Sequence, residues 1–582
     1  MSNKVIIFDL ETTVQDLNGT KDNSPFNPEN RIVSAHWRML EDGVLGTPQH
    51  SIFHHNEQAK PDSPDAFIEA LKSADVGVAH NAKYDVLYLI EAGLPVPEEI
   101  YCTMIGEYIF ARAQQVDKSL KATAERRDVT RKKSDLVDDL FKSGTGFEAM
   151  PLDTVIEYAD ADVLSCAEIY MQQQEELQLD ENKGLLPVFE LMNEMLLFLA
   201  EIEANGIKID LDVLADVEKT FLAEKAEIEQ RLKDTVADVM GDTPINFNSG
   251  ADMSKVIYSR ELKDKEHWRR IMNLGTGANG KPLPPARMSQ AQFVQAVRVN
   301  CEKVYRTIAY HCDACKGTGK IRKLKKDGKP YKNLSKCPSC DGQGFTLMSN
   351  GKIAGLKMSP SSTSDCSVHG FKTDKVTLKR LIGQAMDKNN LQAVQFLTDI
   401  TRLNAISTYL DSFVKNIQMY TRPDGRLHAQ FNQTITRTGR LSSSYPNFQN
   451  LPKGGKFPVR KAIVSRWANE GGAIMEMDFS GLEFRVAGEL SRDPQIIEDI
   501  LGGKDVHKQT ASIINQCEVA DVTKDMRQAA KAYTFAPLYG GMGAGEPEHV
   551  QKYFQEYFNI YQGLKRWHST LMDGVLKNGI VR

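Results

Sequence analysis

"GGAIMEMDFSGLEFRVAGELSRD" (Gly471 to Asp493) sets one aspartate, Asp478, at the end of an apolar run that gives way to a helical pattern. Chemistry that uses two divalent cations needs a second carboxylate facing the first, because the pair of ions is held between them. Taken alone, Asp478 reads equally well as a cap on the helix "SGLEFRVAGEL". The rest of the chain decides what kind of site it belongs to.

Downstream, "KDMRQAAKAYTFAPLYGG" places Arg527, Lys531, Phe535 and Tyr539 at four-residue intervals, one slowly drifting stripe if the segment is helical throughout. Cations on such a stripe neutralise phosphate and rings offer a stacking platform. An amphipathic helix with its rings in a core fits the same spacing. Pro537 lacks an N–H and predicts a kink before Gly540. Just upstream, "DVHKQTA" adds His507. Further back, "LHAQFNQTITRTGRLSSSYPNFQNLP" sets Arg440 and the amides Asn447 and Gln449 among small residues. That mixture suits a loop near a nucleic-acid backbone and minor groove, and it suits a solvated turn.

At 582 residues the chain is too long for one core, so two to four domains are expected. Hydrophobic content of 41%, charged content of 26% and a net charge of −5 are those of an ordinary soluble protein, and any basic groove must be local. No run approaches eighteen apolar residues, and "MSNKVIIFDLETT" carries no signal-peptide pattern. A cytoplasmic protein with no membrane association is expected. The nine cysteines are then expected as thiols or metal ligands.

The first 175 or so residues read as one α/β unit. "KVIIFDLETT" is strand-like, which points Asp9 and Glu11 to one face. "VGVAHNAKYDVLYLI" reads as a strand followed by a helix bearing Asp85, and "VIEYADADVLSCAEIY" as a helix with Tyr158 and Asp162 one turn apart. Four acids from three elements, with a tyrosine, can gather around two hard cations, magnesium or manganese. Such a pair activates a water and stabilises a leaving alkoxide.

"FDLETT", "AHNAKYD" and "YADAD", in this order, resemble the 3′–5′ exonucleases of the DEDD superfamily, and more closely the proofreading domain of family A DNA polymerases. The resemblance implies Asp9, Glu11 and Asp162 as metal ligands, Asp85 as a ligand acting mainly through water, Tyr158 as the residue orienting the attacking water, and Asn81 near the bound strand. "LLPVFELMNEMLLFLAEIEANGIKID", "INFNSGADMSKVIYS" and "FKTDKVTLKRLI" resemble the start and thumb of the polymerase domain of the same family. By that likeness Arg440, Asn447 and Gln449 contact primer–template DNA. Asp478 holds both catalytic magnesium ions, and Glu483 is the gate against a ribose 2′-hydroxyl, with Arg485 in support. His507, Arg527 and Lys531 bind the deoxynucleoside triphosphate, Phe535 packs on its sugar and base, and Tyr539 gates the template base.

Within residues 265 to 370, "CDACKGTG" and "CPSCDGQG" repeat Cys-x-x-Cys-x-Gly-x-Gly with 21 residues between Cys315 and Cys337. Cys312, Cys315, Cys337 and Cys340 predict a structural tetrahedral zinc site. The knuckles resemble the zinc ribbon of the DnaJ chaperone family, in these short motifs only. From Cys312 to Phe345, nine Lys or Arg stand against three Asp, a net of +6. That charge reads as a phosphate-binding module or as a solvated loop. Phage replicative polymerases of the family carry a processivity-factor insertion in this part of the thumb, which suggests such a partner.

The family's second catalytic aspartate lies in a His-Asp-Glu motif, and the chain contains no His-Asp pair; Asp573 sits in a helical run. Three readings follow: a split polymerase whose C-terminal polypeptide supplies the aspartate, a truncated single chain, or a stand-alone exonuclease with an inactive polymerase region. The expected architecture is a ribonuclease H-like α/β exonuclease domain (1–177) followed by an α+β polymerase hand. The hand comprises its start and thumb (178–264), the zinc-bearing insertion (265–370), the thumb end and primer–template region (371–460), and the partial palm and fingers (461–582).

Overall fold

The computed structural model describes residues 4–277, 282–323, 333–452, 457–543 and 548–578. The chain divides into two compact units, Met1–Ala473 and Ile474–Arg582.

The first unit opens with a mixed six-stranded sheet. Its nucleus is the strand Val5–Thr12, whose "VIIF" run is buried on both faces. It pairs antiparallel with Ile32–Glu41 on one side and parallel with Val76–Ala79 on the other, and Val76–Ala79 pairs in parallel with Glu99–Cys102. Gln49–Ile52 and Val44–Leu45 pair with the far edge of Ile32–Glu41. Helix Leu152–Gln178 packs across Val5–Thr12 and Ile32–Glu41. The helix Leu186–Asn205, which Gly206 ends with φ +59°, belongs to this core as well. Phe189, Leu196 and Ala200 are buried within it, and Asn193 accepts a hydrogen bond from the Cys102 N–H at 2.8 Å.

A second core in the same unit surrounds the long helices Leu211–Met240 and Leu391–Tyr409. Trp268, Phe293, Val297, Leu356 and Phe371 are buried in it, so both ends of the 265–370 segment are built into this body. What stands out from that body is an antiparallel ribbon, Tyr305–His311 against Phe345–Ile353, with the two cysteine knuckles beyond its end. Three short strands, Arg426–Leu427, Ile207–Ile209 and Ile463–Val464, form a small antiparallel sheet.

The second unit contains helices only, among the described residues. Leu482–Ser491, Pro494–Leu501, Val506–Asn515, Lys524–Phe535, Glu548–Ile560 and Gln562–Asn578 enclose a core rich in aromatic rings, including Phe484, Tyr553, Phe554, Tyr557, Phe558 and Tyr561. No helix among the described residues is long and apolar enough to cross a membrane.

Candidate functional site

The four acids expected from three separate motifs converge. Strand alternation points Asp9 and Glu11 to one face of Val5–Thr12, and helix Leu152–Gln178 lays Asp162 over that face. The ligating atoms of Asp9, Glu11 and Asp162 lie within 4.8 Å of one another. Asp85, in the first turn of helix Lys83–Glu91, stands beside this trio and accepts a hydrogen bond from the Leu10 N–H at 3.1 Å. Glu11, Asp85 and Asp162 are buried to 5%, 2% and 2% exposure, a costly place for unpaired carboxylates.

The electrostatics follow from that crowding. Burial, then the charges of Asp9 and Asp162, pushes Glu11 well above the usual carboxylate range. Burial and the nearby Asp9 do the same to Asp85. Asp162 is pushed up to about 7 by burial, against the pull of Lys132. One of its oxygens, Oδ1, is buried with no hydrogen-bond partner. A carboxylate trio with an orphaned oxygen is what hard divalent cations complete, so the residues fit the expected magnesium or manganese pair.

Lys132 was not singled out from the sequence. Its Nζ contacts Asp162 Oδ2 and lies 4.6 Å from the centre of the Tyr158 ring. Its loop is anchored by the Thr130 N–H and hydroxyl, both donated to Glu168 of the Asp162 helix at 2.6 and 3.1 Å. Tyr158 is buried against Phe147, and burial followed by the Asp162 and Glu11 charges raises its phenol, which therefore keeps its proton. Asn81 is exposed at φ +62° in the turn that starts the Asp85 helix.

The loop bearing Arg440 runs between two paired strands, Gln430–Asn432 and Ser442–Ser444. Arg440, Asn447 and Gln449 are all exposed. This loop is tied to the α/β part of the unit: Tyr108 Oη donates to the Thr436 carbonyl at 2.9 Å and accepts from the Gly439 N–H at 3.0 Å.

In the second unit, helix Lys524–Phe535 brings the expected fingers residues together in part. Arg527 donates to Asp505 at 2.8 Å, while Asp505 also caps helix Val506–Asn515 through the Lys508 N–H. His507 meets Phe535 edge-to-face, with ring centres 4.9 Å apart. Burial, then the Arg527 and Lys531 cations, lowers His507 and keeps it neutral; the charge of Glu483 also reaches it. Tyr539 lies past the end of this helix. The α-helix ends at Phe535, and Ala536–Tyr539 is a 3-10 turn closed by Gly540 at φ +80°. Pro537 cannot donate the next helical hydrogen bond, so the four-residue stripe stops one position early and Tyr539 is 71% exposed.

Asp478 lies in a stretch without regular structure, flanked by Met475, Met477 and Phe479 at 78%, 84% and 77% exposure. It does not cap the following helix, whose N-cap is Gly481 with no side-chain bond. Arg485 folds back to the Ser480 carbonyl at 2.8 Å. Among the described residues Asp478 joins no group of three or more metal-ligating side chains.

The four cysteines of the insertion do meet. Cys312 and Cys337 sulfurs are 3.8 Å apart and Cys315 and Cys340 sulfurs 3.6 Å apart. Those gaps exclude disulfides; four thiolates around zinc at about 2.3 Å stand about 3.8 Å from each other. The Gly319 and Gly344 N–H groups each donate to a sulfur at 3.3 Å. Both glycines have positive φ, and a Cβ on Gly319 would collide with the Gly342 carbonyl, so the two knuckles pack only as glycines.

Comparison with known proteins gives this geometry a context. Over 190 residues the chain is 36% identical to the thermostable DNA polymerase I of Thermus thermophilus, covering 31% of this chain and 21% of that protein. It is 31% identical over 221 residues to DNA polymerase I of Caldicellulosiruptor bescii, covering 36% and 25%. The chain thus matches about a quarter or less of the length of these curated relatives. The POL domain of Pol1 from M. smegmatis, solved in complex with DNA primer-template and dNTP, shares the fold with a TM-score of 0.59 at 18% identity, over 98% of this chain and 76% of that one. The model of DNA polymerase family A matches residues 337–582.

Proposed function

We propose that this chain is a family A DNA polymerase that carries its own 3′–5′ proofreading exonuclease. The observation that carries the exonuclease is the convergence of Asp9, Glu11 and Asp162 within 4.8 Å, beside Asp85 and Tyr158. Divalent cations bound there supply an activated water and charge stabilisation for the departing 3′-oxygen. The protein's own part is positional. Asp9, Glu11 and Asp162 hold the cations, Asp85 is fixed by the Leu10 amide, and the protonated Tyr158 phenol orients the water that attacks the terminal phosphodiester. Replacing both Asp9 and Glu11 with alanine should remove magnesium-dependent degradation of single-stranded DNA. Undiminished degradation would exclude this site.

The polymerase reading rests on the family match at residues 337–582 and on the His507–Arg527–Phe535 constellation. In it the fingers helix grips the triphosphate, the loop of Arg440, Asn447 and Gln449 meets primer–template DNA, Glu483 excludes the 2′-hydroxyl, and Asp478 is one of two palm carboxylates. The chain has no His-Asp pair, and no second palm carboxylate is assigned among its residues. Primer extension by residues 1–582 alone should be absent, while excision persists; robust extension would place both carboxylates within them. Zinc in the four-cysteine site holds the knuckles, and the basic charge around them contacts duplex phosphates or a processivity partner.

A further inference from the structure

A second cluster of ligating side chains adjoins the acid trio. Asp9 is in register with His36 on the neighbouring strand, and His36 with His50 on the strand beyond. Directly opposed residues of antiparallel strands share a face, so the three side chains form a row across the sheet. Helix Leu152–Gln178 packs on this part of the sheet, and its Asp160, midway between Tyr158 and Asp162, reaches His36: Oδ1 is 3.1 Å from Nδ1. The ligating atoms of His36, His50 and Asp160 all lie within 4.8 Å of one another. The other ring nitrogen of His36, Nε2, is 3.0 Å from Ser34 Oγ, and the ring is fully buried.

We propose that His36, His50 and Asp160 form a binding site for a borderline divalent cation, with zinc the best match. Two imidazoles and one carboxylate form a nitrogen-rich set that suits zinc or cobalt, whereas magnesium prefers the all-oxygen trio beside it. With Nε2–H donated to Ser34, His36 turns its Nδ1 lone pair toward Asp160 and His50. Metal-bound imidazoles are held in this way by a partner on the far nitrogen. His50 is exposed and leaves solvent access for the ion and for a water as fourth ligand. A cation here ties the Ile32–Glu41 and Gln49–Ile52 strands to the helix that carries Tyr158 and Asp162. The site is independent of the exonuclease reading, since it is defined by metal content and not by turnover.

Cobalt chloride titrated into the chelator-treated full chain, with magnesium in excess, tests the assignment. Wild type should bind one more cobalt per chain than either His50→Ala or Asp160→Asn. The lost equivalent should carry visible d–d bands without the near-ultraviolet thiolate charge transfer of the four-cysteine site. Zinc should raise the melting temperature of wild type by more than that of His50→Ala, a surface variant whose circular dichroism shows whether it folds. Equal cobalt content in wild type and both variants overturns the proposal, and so does a lost equivalent that carries the thiolate band.

Discussion

The Asp9 and Asp478 regions are built in opposite ways. Asp9 sits in a strand whose neighbours on both sides are paired, under a helix that supplies Asp162; every acid of the cluster is held by regular structure. Asp478 sits in a stretch with no strand partner among the described residues, and the apolar side chains around it face water. A carboxylate cluster can be prearranged only where backbone hydrogen bonds fix each element before charges are brought together. The first region meets that condition within one unit of the fold; the second presents Asp478, with Glu476 two residues before it, on an unpaired and exposed segment.

The comparison is sharpened most by the knuckles, a third region that closes only around its own ligands. Cys337→Ser with Cys340→Ser should unfold them, because the free energy of binding structural zinc is about 10–16 kcal/mol and little else holds these turns. One zinc per chain should be lost by elemental analysis, while magnesium-dependent excision persists. Zinc content unchanged by the double substitution would place the metal elsewhere.

Lys132 tests whether the acid cluster is complete as a metal site. If its ammonium supports Asp162 and Tyr158 during excision, Lys132→Met should lower the excision rate by about 100-fold, the scale of one electrostatic partner in a site. The loss should appear in kcat and exceed any change in KM for single-stranded DNA, and Lys132→Arg should restore part of it. A variant as fast as wild type shows that Lys132 merely balances charge where cations otherwise sit.

These regions also differ in how far they were legible before the fold was known. The acids could be read because strand alternation aligns Asp9 with Glu11 and the helical turn aligns Tyr158 with Asp162. The two knuckles could be read because their spacing has few other physical uses. Lys132 could not, since it reaches Asp162 from a loop 30 residues away and loops carry no period. His36 and His50 were equally silent, because register across three strands is set by tertiary pairing. Helix Leu186–Asn205 showed an apolar face, but periodicity does not say what covers it, and it packs on the α/β core. Pro537 did announce the end of the stripe before Tyr539.

A third expectation concerns pH. His80, in the turn beside Asn81, is fixed as a neutral tautomer between Thr103 Oγ1 and the Lys118 carbonyl, both at 2.8 Å. Burial lowers it to about 4 from the ordinary 6.5. The unfolded chain then binds a proton that the folded chain refuses, so this stability is fully present above pH 6.5 and is lost as pH falls toward 4. The span corresponds to about 3 kcal/mol. The melting temperature of the α/β core should fall over that window in wild type and fall less in His80→Gln. Parallel profiles would assign the acid sensitivity to other groups.

The smallest expected effect joins the well-ordered region to the exposed loop that bears Arg440. Tyr108 belongs to helix Thr103–Phe110 of the α/β part, yet its hydroxyl holds both the Thr436 carbonyl and the Gly439 N–H next to Arg440. Tyr108→Phe removes both hydrogen bonds without changing the ring, and at a half-exposed position water replaces much of what is lost. The net cost is about 1 kcal/mol, or about fivefold in affinity if the loop is ordered only when bound. Primer–template DNA should therefore bind about two- to fivefold more weakly to the variant, with single-stranded excision unchanged because no exonuclease acid is touched. Equal affinity for primer–template would mean that the paired strands Gln430–Asn432 and Ser442–Ser444 suffice to order the loop. In that case the hydrogen bonds from Tyr108 add nothing to the order of the Arg440 loop.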